Sequence, residues 1–186
     1  MTNQGPRTLN GRPSLLLVDD DITLCEDLAE VLAARGFRVQ LARTAEQAAR
    51  IVDDDPPQHA VIALNLPDDS GLKLVSKVLA VDPRTRIVVW TAYPSIRTAV
   101  EAIKLGATYY MAKPASADEI VAAFYRDRGD DSIPVGTKPM SVRRVEWEYI
   151  NNVMRDNDGN ISATARALSM HRRTLQRKLR KHPARD

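Results

Sequence analysis

Over residues 14–125, short apolar runs alternate with stretches whose apolar residues recur every three or four positions. The runs fall at 15–18, 37–41, 60–64, 87–90 and 109–112. The first, third and fourth are nearly continuous, as strands buried on both faces require. Between them, spacings such as Leu24, Leu28, Val31 and Leu32 line one face of a helix. Five strands alternating with helices predict an α/β fold with a five-stranded, doubly wound parallel sheet. The periodicity stops at 126–139, a stretch with two prolines and two glycines that reads as a linker. Three helical segments follow. Ser141 is the expected cap of the first, which runs to about Arg155 and stops at Asn157-Asp158-Gly159. Ser162 is the expected cap of a short second helix ending near Leu168, and the third runs from about His171 to Lys181. The expected domains are a flexible leader at 1–13, the sheet domain at 14–126, a Pro-containing linker at 127–140 and a small all-α domain at 141–186.

Composition narrows the class. A hydrophobic fraction of 44% over 186 residues supports packed cores. No apolar stretch spans a bilayer, and residues 1–12 lack the apolar core of a secretory signal, so a cytoplasmic protein with no membrane insertion is expected. The single cysteine, Cys25, excludes an internal disulfide and any multi-Cys metal site. A small buried side chain is its first reading, and a redox-sensing thiol the alternative. The net charge of +3 conceals an asymmetry: residues 138–186 carry 12 Lys/Arg against 5 Asp/Glu, so the rest of the chain is net acidic. A basic tail behind an acidic front suggests two modules, the second a candidate for nucleic acid.

The chemistry gathers at the strand ends. Asp19 and Asp20 close the first run, Thr91 follows the fourth, and Lys113-Pro114 follows the fifth. In an open parallel sheet these carboxyl ends are where ligands bind. Paired carboxylates can hold Mg²⁺, a Lys neutralises an anion, and a hydroxyl donates to a phosphoryl oxygen. Each residue also has a plainer use. Asp21 can cap a helix, Thr91 suits a strand, Tyr110 suits a core, and Trp90 is expected to pack in the core.

Residues 14–125 resemble the receiver domain of bacterial two-component response regulators, a flavodoxin-like fold. In that family the third strand ends in an Asp, with Pro four residues later and Gly eight residues later; here Pro67 and Gly71 frame Ala63. The resemblance implies that Asp19 and Asp20 are the metal-side acids and that Asn65 lends its backbone carbonyl to Mg²⁺. It makes Thr91 the switch hydroxyl, Tyr110 the switch aromatic and Lys113 the phosphoryl partner. A methyl group forms no acyl phosphate and ligates no metal, so phosphorylation at Ala63 is excluded and weaker Mg²⁺ binding is expected. Asp68 and Asp69, on the following loop, are poor substitutes. Ala63 has two explanations: a natural receiver without an acceptor, or an Asp→Ala replacement in an otherwise intact one, which the retained Lys113 favours.

The tail has the layout of a helix-turn-helix, with six Lys/Arg and no acid between His171 and Lys181. Leu175 and Leu179 form the buried stripe, leaving Arg173, Gln176, Arg177 and Arg180 outward, suited to guanine, adenine and phosphate. The segment resembles the helix-turn-helix of the factor for inversion stimulation, which implies DNA contacts at His171, Arg172, Thr174, Arg177 and Lys178. That family acts as dimers. A receiver joined by a short linker to this tail, with no ATPase phosphate loop between, resembles the RegA/PrrA/ActR family of redox-responsive regulators. The implied partners are double-stranded DNA, a second copy of the chain and a membrane histidine kinase of the RegB/PrrB type. The expected function is a DNA-binding transcriptional response regulator that cannot be phosphorylated at position 63. The alternative is a constitutive or architectural DNA binder whose pseudo-receiver serves protein contacts. An enzyme is not expected, since Ala63 offers no nucleophile and His59, His171 and His182 lie outside the pocket.

Overall fold

The computed structural model of the protein describes residues 11–126, 129, 142–155, 157 and 159–180. The leader expected at 1–13, apart from its last three residues, lies outside them, as do the linker expected at 127–140 (Gly129 apart), the Ser141 cap, Asp158 and Lys181. The chain divides into two compact units, Met1–Gly129 and Asp130–Asp186.

In the first unit the elements alternate along the chain: β1 (Ser14–Val18), α1 (Ile22–Ala34), β2 (Arg38–Ala42), α2 (Ala45–Asp54) and β3 (His59–Ala63), then α3 (Gly71–Val81), β4 (Arg86–Thr91), α4 (Ile96–Lys104), β5 (Tyr109–Ala112) and α5 (Ala117–Phe124). Every strand pair is parallel, in the order β2-β1-β3-β4-β5. The chain steps outward from β1 to β2 and then back across β1 to β3. The strand order therefore reverses between β1 and β3, where an open sheet leaves a crevice. Alternation along the strands builds two cores. Leu16, Val18, Ile62 and Val89 pack with α2, α3 and α4, while Leu15, Leu17, Val61, Ala63 and Trp90 pack with α1 and α5. The loops that leave the strand ends are fixed by helix caps. Asp21, Thr44, Ser70, Ser95 and Ser116 each accept a hydrogen bond from the first turn of the helix they precede. β2 and β3 sit one residue from the expected runs: Phe37 precedes its strand and is buried against the α1/α5 side instead.

The second unit holds α6 (Val142–Arg155), α7 (Ile161–Ala167) and α8 (Arg172–Leu179). Ile150, Ala165 and Leu175 form its core, with Met154, Ile161, Leu168 and Leu179 partly buried around them. The expected Ser162 cap is corrected to Asn160, whose side-chain oxygen accepts from the Ser162 and Ala163 backbone N–H groups at 3.0 and 3.1 Å. The helix starts two residues earlier than expected, so Asn160 caps its first free N–H groups and Ser162 becomes part of the first turn. Among the described residues no helix is long and apolar enough to cross a membrane.

Candidate functional site

At the crevice, β1 delivers Asp19, β3 Ala63, β4 Thr91 and the end of β5 Lys113. Asp19 is 1% exposed. One carboxylate oxygen accepts from the Asp21 backbone N–H at 3.2 Å, and the other accepts from Lys113 Nζ. Burial pushes the Asp19 carboxyl above its ordinary range, and the Lys113 ammonium pulls against that shift. Lys113 Nζ also lies 4.7 Å from the centre of the Trp90 ring, and its backbone N–H donates to the Thr91 carbonyl at 2.8 Å. Thr91 is buried, and its hydroxyl oxygen accepts from the Tyr93 backbone N–H at 3.2 Å. Asp20 is exposed.

Ala63 is buried opposite Trp90 in the β3–β4 register. Lys113 pairs with Asp19, a partner that spacing alone did not foretell. The loop after β3 closes tightly on this strand end. Gly71 donates its N–H to the Leu64 carbonyl at 2.9 Å, and a Cβ at Gly71 would stand 2.1 Å from the Ala63 carbonyl oxygen. Asn65, the expected backbone ligand, is exposed on that loop and bridges to Ser70. The two neighbouring acids are committed elsewhere. Asp68 accepts from the Ala45 and Glu46 backbone N–H groups at the start of α2, both at 2.9 Å, which holds its carboxyl below the ordinary range. Asp69 pairs with Lys73 at 2.8 Å. Neither faces Lys113.

Tyr110, the expected switch aromatic, is half-buried on β5. Its hydroxyl shares a hydrogen bond with Thr98 Oγ1 at 2.7 Å and accepts from the Ser95 backbone N–H at 3.2 Å. Ser95 and Thr98 thus tie the start of α4 to β5. Sequence reasoning missed both residues, and the Ser95-x-x-Thr98 spacing of a helix start was the only signal. Cys25 is a packed side chain rather than an exposed thiol: its Sγ faces the Asp19 carbonyl at 3.8 Å. Burial first, and then the Asp19 charge, push the thiol up to about 12. That disfavours the redox-sensing alternative, because the thiolate is the reactive form. Trp90 is fully buried, in the packing role expected of it.

In the second unit, α7 leads through a tight turn into α8. Met170 N–H donates to the Ala165 carbonyl at 2.8 Å, and Ser169 takes the left-handed conformation at φ 50°. Glycine is the usual occupant of such a position. The turn projects α8 with Leu175 inward. His171, Arg172, Arg173, Arg177 and Arg180 are exposed, whereas Thr174 and Gln176 are partly buried. Lys178 differs from the other cations of α8: its Nζ lies 2.5 Å from Glu146 Oε1 on α6.

The family model described as the response regulator receiver domain matches residues 15–125, and that of the bacterial regulatory protein, Fis family, matches residues 141–182. Among curated relatives, the acid tolerance regulatory protein ActR of Rhizobium meliloti (strain 1021) is 46% identical over 168 residues, covering 90% of this chain and 86% of its own length. The photosynthetic apparatus regulatory protein RegA of Rhodobacter capsulatus is 46% identical over 172 residues, covering 92% and 93%. Among solved structures, a response regulator from Burkholderia pseudomallei with a phosphorylated aspartic acid, calcium ion and citrate is 39% identical. It has a TM-score of 0.61 and covers 91% of this chain and 99% of that one.

Proposed function

Because the chain belongs to the response regulators that join a receiver domain to a Fis-type helix-turn-helix, we propose that it is a DNA-binding regulator whose receiver takes no phosphoryl group at position 63. The class itself is plain: this is a DNA-binding transcriptional regulator of a two-component system. The observation that carries the finer reading is Ala63, a buried methyl group at the strand end where Lys113 and Thr91 converge. An acyl phosphate needs a carboxylate, and the two nearest loop acids are tied to α2 and to Lys73.

The donor set would hold Mg²⁺ only weakly. Asp19 is neutralised by Lys113, position 63 supplies no oxygen, and among the described residues no three His, Cys, Asp or Glu side chains gather to hold a metal. Mg²⁺ takes near-octahedral oxygen coordination, so removing one of few carboxylates weakens the site. In this reading Thr91 and Tyr110 are the switch pair, and the Tyr110–Thr98 bond holds the resting arrangement of α4. An acceptor carboxylate at 63 would draw Lys113 back from Asp19 and bias that equilibrium.

The output is α8. Arg172, Arg173, Arg177 and Arg180 form an exposed cationic face for phosphates and guanine edges, with His171, Thr174 and Gln176 at its flanks. Following the family resemblance, the protein binds as a homodimer in the cytoplasm, and the phosphoryl donor of its signalling system is a redox-responsive membrane kinase of the RegB/PrrB type. A second reading, a constitutive DNA binder with a pseudo-receiver, is favoured by Ala63 alone. Intact-mass analysis after exposure to a small phosphodonor tests the acceptor claim. This chain stays at its starting mass, Ala63→Asp gains one phosphoryl group, and a stoichiometric acyl phosphate on this chain sinks the reading.

A further inference from the structure

The cations of α8 and its C-cap, Arg180, are of two kinds. Arg172, Arg173, Arg177 and Arg180 are exposed and, among the described residues, have no ion-pair partner. Lys178 stands apart, its ammonium on the Glu146 carboxylate of α6 with the two side chains 29% and 41% exposed. Its place on the helix explains the difference. It lies three residues beyond Leu175, which is buried with Ile150, and one before the partly buried Leu179. Its stem therefore starts on the flank of α8 that packs toward α6, where a carboxylate meets it.

We propose that Glu146 is a positioning residue for DNA recognition: it withdraws Lys178 from the set of phosphate contacts and makes it a strut that fixes α8 against α6. The inference rests on the reading of α8 as the DNA-contacting helix. A DNA phosphate competing for Lys178 exchanges one anion for another and leaves the Glu146 carboxylate bare beside the duplex. The exchange brings little gain, so the pair persists in the complex. The exposed arginines carry the counterion release, and Lys178 carries none of it.

The salt dependence of binding reads this directly, because a structural strut contributes nothing to the slope of log K against log salt. The full chain is titrated onto a labelled mixed-sequence duplex across a potassium chloride series, with circular dichroism melts to verify folding. The charge-neutral double variant Glu146→Gln/Lys178→Gln keeps the parent slope. Glu146→Gln alone frees Lys178 and steepens the slope by about 0.9 per bound protomer. Arg177→Gln, a control on the underlying reading, makes it shallower by about 0.9. A shallower slope in the double variant, or an unchanged one in Glu146→Gln, makes Lys178 a phosphate contact already and overturns the proposal. If Arg177→Gln leaves the slope unchanged, the assignment of α8 to DNA fails instead. Should Glu146→Gln lose its fold, the double variant still decides.

Discussion

Lys113, just after β5, donates its ammonium to the carboxylate of Asp19, just after β1, and so links the ends of two strands. The pair is nearly enclosed, at 18% and 1% side-chain exposure. Removing one member of such a pair strands the other charge in a poorly solvated place. Lys113→Met is therefore expected to destabilise the receiver by roughly 3 kcal/mol in urea unfolding. Adding Asp19→Asn to it should recover most of that loss. If the double variant is no more stable than Lys113→Met, the two charges do not depend on one another as described.

Gly71 is a steric requirement of the same site. Its missing side chain lets the loop after β3 fold onto the Ala63 carbonyl, and a methyl group there would meet that oxygen at 2.1 Å. The obstacle is backbone, which cannot swing aside as a flexible side chain does. Gly71→Ala should cost roughly 3 kcal/mol, at the upper end of overpacking penalties, as measured by thermal or urea unfolding. A loss below about 0.5 kcal/mol, the scale of ordinary surface changes, would show that the loop is not held this closely.

Cys25 is predicted to be chemically quiet. With its thiol pushed up to about 12 and its side chain buried, almost none is thiolate near neutral pH. Iodoacetamide should label the unfolded chain readily and the native chain hardly at all. Mild oxidants should likewise leave DNA affinity unchanged. Rapid alkylation of the native protein would restore the redox-sensing reading.

His59 gives the receiver an acid sensitivity. It is buried at the start of β3, edge-on to Phe37 at 5.3 Å and to Phe124 at 4.8 Å between ring centres. Burial lowers its proton affinity below the ordinary value of 6.5, and the nearby Ser14 backbone offsets this only in part. As pH falls through 6.5 the unfolded chain takes up the proton before the folded one. Stability therefore declines down to the depressed folded value. His59→Phe should flatten the fall in stability as pH drops below 6.5. An equally steep loss in that variant would place the acid sensitivity elsewhere.

Much of this arrangement is legible along the chain because receiver chemistry sits at strand ends, and strand ends follow from period and length. Asp19, Thr91 and Lys113 are found that way, and Pro67 and Gly71 mark position 63 even with its carboxylate gone. What escapes is the partner of each side chain, since partners are set by non-local packing. Lys113 chooses Asp19 across 94 residues, Asp68 caps α2 from the neighbouring loop, and Lys178 meets Glu146 across a helix crossing. The Ser162 cap fails for a local reason: Asn160 also caps well, and only backbone dihedrals decide between them.

The most direct test of the central claim is fluorescence anisotropy of a labelled target duplex, titrated with this chain and with Ala63→Asp. Each is run with and without Mg²⁺ and a small phosphodonor at fixed salt. The account predicts that both proteins bind, that donor and Mg²⁺ tighten only Ala63→Asp, and that this chain gives superimposable curves in every condition. A donor-dependent shift in this chain, or Ala63→Asp that stays as unresponsive as its parent, would contradict it.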